Sequence, residues 1–90
     1  MNTSEKEIFV KIIQQFQQYF PDGNIRFSKR IGKRISHIAG SSYQIFYDEK
    51  IKYIGENIIV HYRFGQNSSA EKEAEFWQQL NRSLIGHQTP

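Results

Sequence analysis

The spacing of apolar residues changes twice along this 90-residue chain, and this change constrains the fold more than any other feature. Both ends carry apolar side chains at the three- and four-residue intervals of an amphipathic helix, whereas the middle alternates apolar and polar residues with the period of a strand. Helices are predicted over residues 5–20 and 69–85, an antiparallel sheet over 24–64, and a frayed tail over 86–90. The sequence therefore predicts an α+β fold in a single domain, residues 1–90.

Each predicted helix opens with a capping box, in which a serine is followed three residues later by a glutamate. Ser4 and Glu7 form the first box, and Ser68 and Glu71 form the second. Gly86 is the predicted C-terminal cap of the second helix. The predicted buried stripes comprise Ile8, Phe9, Ile12, Ile13, Phe16, Tyr19 and Phe20 in the first helix and Phe76, Trp77, Leu80 and Leu84 in the second.

The sheet is predicted to contain three or four strands. Gly32 and Lys33 separate the first two strand-like runs and are predicted to form a two-residue hairpin turn. A third strand is predicted from Tyr43 to Tyr47, and a central one, apolar on both sides, from Ile58 to Phe64. The run from Ile51 to Ile54 fits either a small strand or a structured loop. Packing both amphipathic helices on one face of this sheet leaves its other face, here called the outer face, open.

Positive charge is concentrated in one part of the chain. The segment from Gly23 to Tyr47 has five lysines and arginines and no aspartate or glutamate, although the whole chain has 12 basic and 9 acidic residues. The remainder of the chain is therefore slightly negative. A polarised charge distribution carries more functional information than a net charge of +3.

Alternation along the predicted strands places most of the arginines on the outer face, while Ile25, Phe27, Ile35, His37 and Ala39 are predicted to point towards the helices. The residues assigned to the outer face are Arg26, Ser28, Arg30, Arg34, Ser36, Ile38, Gln44, Phe46, Ile59, His61 and Arg63. Cations that follow a phosphate backbone, beside flat groups that stack on bases, are typical of nucleic-acid-binding sheets. The candidate partner-binding residues are Arg26, Arg30, Lys33, Arg34, Phe46, His61 and Arg63.

Two other interpretations fit the same residues. A solvated sheet face needs polar side chains in any case, and arginine is suitable because its stem covers apolar surface while its head stays in water. Ile38, Phe46 and Ile59 would instead suit a protein partner or a homodimer.

The basic cluster around Gly32 also resembles a phosphate-contacting hairpin tip.

No enzyme signature occurs in the sequence. It contains no cysteine, no glycine-rich phosphate loop, no His-Glu-x-x-His motif and no nucleophile elbow, so we expect neither a catalytic site, a cofactor nor a metal. The three histidines lie on separate predicted elements, and Asp48 with Glu49 fits turn chemistry. An N-terminus without a signal-peptide pattern, and no apolar run of the ~20 residues that cross a bilayer, lead us to expect a cytoplasmic protein that is not in the membrane.

The predicted order of helix, three strands and helix is similar to that of the double-stranded-RNA-binding domain. That family carries basic residues at the start of its last helix, whereas this chain has three glutamates between Glu71 and Glu75. We expect a small non-enzymatic binding module whose basic face contacts a negatively charged partner, nucleic acid first. The alternative is a regulatory or inhibitory protein that docks on another protein, or a homodimer, through the same surface.

Overall fold

The computed structural model describes residues 3–88, with side chains for residues 5–84. Its elements are helix α1 (Thr3–Tyr19), strands β1 (Asn24–Ile31), β2 (Arg34–Gly40), β3 (Lys50–Ile54) and β4 (Ile58–Arg63), and helix α2 (Ala70–Gln88). All strand pairs are antiparallel, and the order in the sheet is β2-β1-β4-β3. The predicted α+β class is confirmed, and of the two predicted strand numbers, three or four, the structure has four. The fourth strand also separates this chain from the helix, three-strand, helix order of the double-stranded-RNA-binding domain.

Helix α1 packs on the sheet through the predicted apolar stripe, of which Ile8 and Tyr19 are partly buried and the other five members are buried. The ring of Phe9 stacks on that of Phe27 in β1, with centroids 4.4 Å apart. The helix begins at Thr3, one residue before the predicted cap Ser4, whose side chain lies outside the described residues. Helical spacing in the sequence therefore translates directly into the face that α1 buries.

Helix α2 completes the core on the same face of the sheet. Phe76 and Leu80 are buried, and Phe76 meets Phe16 of α1 edge to face at 5.2 Å. Two polar contacts also join the helices: Tyr19 donates its hydroxyl to Glu75 at 3.0 Å, and the side-chain amides of Gln15 and Gln79 hydrogen-bond. Both amphipathic helices thus share one core, as their apolar stripes require.

Both predicted ends of α2 need correction. The N-cap is Ser69 rather than Ser68, because the Ser69 side chain accepts a hydrogen bond from the backbone N–H of Lys72 at 3.2 Å. The helix then passes through Gly86 to Gln88, so Gly86 is not its cap and residues 86–88 are not a tail. A glycine inside a helix costs only about 1 kcal/mol, which neighbouring helical residues can outweigh. Residues 89–90 of the predicted tail lie outside the described residues.

The predicted strand from Tyr43 to Tyr47 is wrong. Those residues belong to an irregular segment, residues 41–49, and the third strand is formed instead by Lys50–Ile54, where the sequence pattern was undecided. Strands β2 and β3 occupy opposite edges of the sheet, so the segment between them has to cross from one edge to the other. Between those edges the segment passes β1 and β4, which are already paired on both sides, so the crossing residues meet no free strand edge there. We call residues 41–49 the crossover loop.

A β-bulge in β2 reverses the predicted orientation of most of that strand. The register with β1 shifts between Phe27 and Ser28: Ala39 lies opposite Phe27, but His37 lies opposite Ser28, which leaves Ile38 as the extra residue. Ala39 points to the core as predicted, and Ile38 packs against the core instead of lying on the outer face.

Beyond the bulge the two faces of β2 are exchanged relative to the prediction. His37 and Ile35 lie on the outer face instead of pointing towards the helices, and Arg34 and Ser36 take the opposite side. One inserted residue is sufficient, because side chains alternate with a period of two.

No helix within residues 3–88 is long and apolar enough to cross a membrane.

Candidate binding surface

The crossover loop covers part of the outer face that the sequence predicts to be open. Ser41 anchors its start on β1, donating its backbone N–H to the carbonyl of Ile25 at 2.9 Å and accepting the Ile25 N–H on its hydroxyl at 3.1 Å. Ser28 and Ile59, a cross-strand pair on the outer face, are each only 2% exposed. The outer face therefore has a buried centre of its own.

Glu49, at the end of the crossover loop, occupies the middle of this centre. Its carboxylate accepts a hydrogen bond from Nη2 of Arg26 at 2.8 Å and lies 3.2 Å from Nδ1 of His61. The other carboxylate oxygen accepts the backbone N–H of Phe46 at 3.3 Å. The side chains of Arg26, Glu49 and His61, here called the central cluster, are 11–12% exposed. The guanidinium charge of Arg26 is thus neutralised within the protein.

The environment of His61 favours its neutral form. Burial lowers the pKa of His61 and the neighbouring Arg26 lowers it further, while Glu49 opposes both effects. The Nε2 atom of His61 is buried and has no hydrogen-bond partner among the described residues. Because the ring is enclosed and uncharged at neutral pH, it offers neither a cation nor a stacking surface to a partner.

Arg63 is also engaged from within the chain. Its guanidinium carbon lies 4.0 Å from the centre of the Phe46 ring, a cation–π contact, and its Nη1 is 3.4 Å from a carboxylate oxygen of Asp48. The two side chains of this ion pair are 31% and 48% exposed, so solvent weakens it. One side of the Phe46 ring is nevertheless occupied by Arg63 and is closed to a base.

The β1–β2 hairpin continues past the rest of the sheet. The last β1–β4 pair is Lys29 with Ile58, and the N–H of Arg30 donates to the carbonyl of Asn57 at 2.7 Å; from there only β2 accompanies β1. Gly32 has a φ of +62°, as required at the first position of a two-residue hairpin turn, so the predicted turn is confirmed. Residues 30–35, here called the hairpin tip, are all exposed.

The hairpin tip carries its three cations in distinct directions. Arg30 lies opposite Ile35 on the outer-face side of the ladder, Arg34 lies opposite Ile31 on the other side, and Lys33 is in the turn. None of the three cations forms an ion pair with any residue that the structure describes, whereas neighbouring Lys29 is 3.7 Å from Glu5 of α1.

The seven predicted site residues thus fall into two groups. Arg26, Phe46, His61 and Arg63 meet beneath or beside the crossover loop, while Arg30, Lys33 and Arg34 are at the hairpin tip. Prediction from the sequence missed Asp48 and Glu49, the acidic residues that form ion pairs with Arg26 and Arg63 of the first group. It assigned both to turn chemistry. Their signal is visible in hindsight, because they are the only acidic residues between positions 23 and 55, a stretch rich in cations.

Large apolar side chains are exposed elsewhere than predicted. Ile59 is buried, Ile38 packs on the core and Phe46 is half-buried. The side chains that are more than half exposed are Ile31, Ile35, Tyr43, Ile45, Tyr47, Ile51 and Tyr53. Tyr43, Ile45 and Tyr47 occupy every second position of the crossover loop. Ile51 and Tyr53 lie on the outer-face side of β3.

The two cavities that adjoin the outer face offer little to a small ligand. The space beneath the crossover loop, lined in part by Arg26, Phe46 and His61, measures about 10 Å³, about enough for one water molecule. An open cleft of about 690 Å³ at the end of the sheet is lined by both acids and cations, Asp22 and Arg63 among them, and so does not select for either sign of charge. Among the described residues, no group of three His, Asp or Glu side chains could hold a metal ion.

Comparison of the chain with protein-family models, with curated proteins and with solved structures gave no significant match.

Proposed function

We propose that this protein is a small, non-enzymatic binding module that contacts nucleic acid through the hairpin tip. The observation that carries the proposal is the contrast in charge pairing: the cations of the outer face are held by Asp48 and Glu49, whereas Arg30, Lys33 and Arg34 are exposed and unpaired among the described residues. Three unpaired cations within five residues form a local positive surface that attracts a phosphate backbone. The proposed setting is the cytoplasm, which a cysteine-free sequence suits.

The test is a fluorescence anisotropy titration of the whole chain against short labelled oligonucleotides at salt concentrations from 50 to 200 mM. Neutralising three phosphates predicts that affinity falls about 40-fold over this range, since the logarithm of the binding constant declines by about 0.9 per contact for each tenfold rise in salt. Absence of binding at 50 mM salt would overturn the proposal.

The matched variants separate local from overall charge. The triple variant Arg30→Ala, Lys33→Ala, Arg34→Ala removes three charges at the hairpin tip, and Lys6→Ala, Lys11→Ala, Lys72→Ala removes three exposed charges from the helices. The tip variant is expected to lose binding and most of the salt dependence, and the helix variant to retain both. Equal losses would show that net charge, rather than the hairpin tip, drives the interaction.

A protein partner is the second candidate, and the exposed apolar side chains favour it. Tyr43, Ile45 and Tyr47 on the crossover loop are each at least 76% exposed, and Ile51 and Tyr53 lie on the edge strand β3. Exposed apolar clusters of this kind are typical of interaction sites, including those of homodimers. Light scattering at high protein concentration tests the homodimer, which a monomeric mass would exclude.

A further inference from the structure

We propose that the partner is double-stranded DNA and that the hairpin tip enters its major groove as a two-stranded ribbon. The inference rests on the proposed function and specifies its partner. It follows from the shape of the hairpin tip, the directions of its cations, and the absence of a stacking surface on it.

The shape of the hairpin tip fits a groove. Beyond Lys29 the ribbon pairs with no further strand in the part of the chain that the structure describes. Apart from the bond between the Arg30 N–H and the Asn57 carbonyl, both of its sides are open to solvent, with Ile31 67% and Ile35 60% exposed. Two paired strands lie about 4.8 Å apart. The major groove of B-form DNA is about 12 Å wide and admits a two-stranded ribbon, whereas the minor groove is about 6 Å wide and would first have to be widened at a cost in deformation energy.

The cations of the hairpin tip are arranged to reach both walls of such a groove. Because Arg30 and Arg34 project from opposite sides of the ladder, a ribbon inserted edgewise directs one guanidinium to each phosphate strand. Lys33 is in the turn, at the leading end. Cations on a flat sheet face would instead all point in one direction, which suits a single backbone lying across that face.

The backbone of the hairpin tip is already ordered before binding, and so is the side chain of Arg30. The hairpin is closed by a glycine in the left-handed region, and Arg30 is fixed by its N–H bond to Asn57 and by a hydrogen bond from its Nε to the Gly32 carbonyl at 3.2 Å. A preformed ribbon loses less conformational entropy on binding than a flexible basic segment does.

A single strand is disfavoured because the hairpin tip cannot stack bases. No aromatic residue occurs from position 29 to 36. On the outer face, Arg63 lies on the Phe46 ring and His61 is enclosed, and the exposed rings of Tyr43 and Tyr47 belong to the crossover loop rather than to the hairpin tip. Double-stranded RNA is disfavoured because its major groove is too deep and narrow for side chains to read.

The experiment compares one sequence of about 20 nucleotides as duplex DNA, as each single strand and as duplex RNA, by anisotropy at 100 mM salt with the whole chain. We expect duplex DNA to bind at least about tenfold more tightly than the other three. The triple alanine variant of the hairpin tip should lose about 500-fold in affinity, since each of three released counterions contributes about eightfold at this salt concentration. The variant Arg30→Lys, Lys33→Arg, Arg34→Lys keeps the charges and should stay within a few fold of the wild type.

Each result has a distinct meaning. No binding to any nucleic acid removes the proposed function and this inference together, while tighter binding of a single strand or of duplex RNA removes only the inference. Competition by methyl green, which occupies the major groove, is expected, and competition by netropsin alone would overturn the groove assignment. If the double variant Phe46→Ala, Arg63→Ala lost binding while the triple alanine variant of the hairpin tip retained it, the binding site would be assigned to the outer face instead. Thermal unfolding of each variant verifies that it is folded.

Discussion

Arg26 and Arg34 belong to the same acid-free stretch of sequence but have opposite environments. Arg26 is enclosed beneath the crossover loop, 2.8 Å from a carboxylate oxygen of Glu49. Arg34 is exposed at the hairpin tip, with no ion pair among the described residues. The first is a structural group whose charge is cancelled, and the second is available to a partner. The comparison shows that a cluster of cations in a sequence predicts a binding surface only after the acids that fold back on it are known.

The sharpest test of this comparison is Glu49→Gln, which keeps the size of the side chain but removes its charge. Arg26 and His61 would lose the carboxylate that holds them, and breaking a largely buried pair by removing one partner is strongly destabilising. We expect the free energy of unfolding, measured by urea denaturation, to fall by about 2–3 kcal/mol.

The matched control is Asp48→Asn, the neighbouring acid in the chain. Its ion pair with Arg63 is partly exposed, so we expect a loss below about 1 kcal/mol. Similar small losses for both variants would show that the central cluster contributes no more than an ordinary surface ion pair.

A smaller effect is expected from two glycine substitutions, one in each region. In Gly40→Ala the new Cβ would lie 2.5 Å from the Cβ of Arg26 and 2.9 Å from Cε1 of His37, so the outer face must shift, at a cost of about 2 kcal/mol. In Gly32→Ala the Cβ meets nothing, and only the positive φ costs energy, about 1 kcal/mol.

Urea denaturation of both glycine variants measures the difference, and Gly40→Ala should be the less stable. The reverse order would mean that repacking the outer face around the new methyl group costs less free energy than placing an alanine at the positive φ of the hairpin turn.

The smallest expected effect is a dependence of stability on pH. Burial is the main cause that lowers the pKa of both His61 and His37 below the ordinary 6.5; Arg26 lowers both further, Lys6 adds to this at His37, and Glu49 opposes it at His61. Below pH 6.5 the unfolded chain therefore binds protons that the folded protein does not, so stability is full above that pH and declines as pH falls through the folded pKa values.

The measurement is the free energy of unfolding from pH 7.5 to 5.5. The free energy of unfolding should fall less steeply with decreasing pH in His61→Gln than in the wild type. In the double variant His37→Gln, His61→Gln this fall should be absent. A wild-type protein that became more stable on acidification would contradict the lowered pKa values of these two histidines.

Sequence periodicity was sufficient wherever neighbouring residues decide the structure. The stripe of α1, the turn at Gly32 and the strand that became β4 follow from local spacing and turn chemistry. The prediction failed at the two places where distant pairing decides. A bulge at Ile38 reversed the orientation of residues 34–37, and the crossover between edge strands left Tyr43–Tyr47 without a partner strand. Neither event has a signature in local alternation.

The sequence by itself determined the class of fold, the two helix faces that meet in the core and the concentration of positive charge between Gly23 and Tyr47. Only the tertiary structure decided which of those charges are available. Arg26 and Glu49 are 23 positions apart, and their contact depends on the strand order that carries the crossover loop over the outer face. Electrostatic interactions depend on distance in space and on burial, and a linear sequence specifies neither.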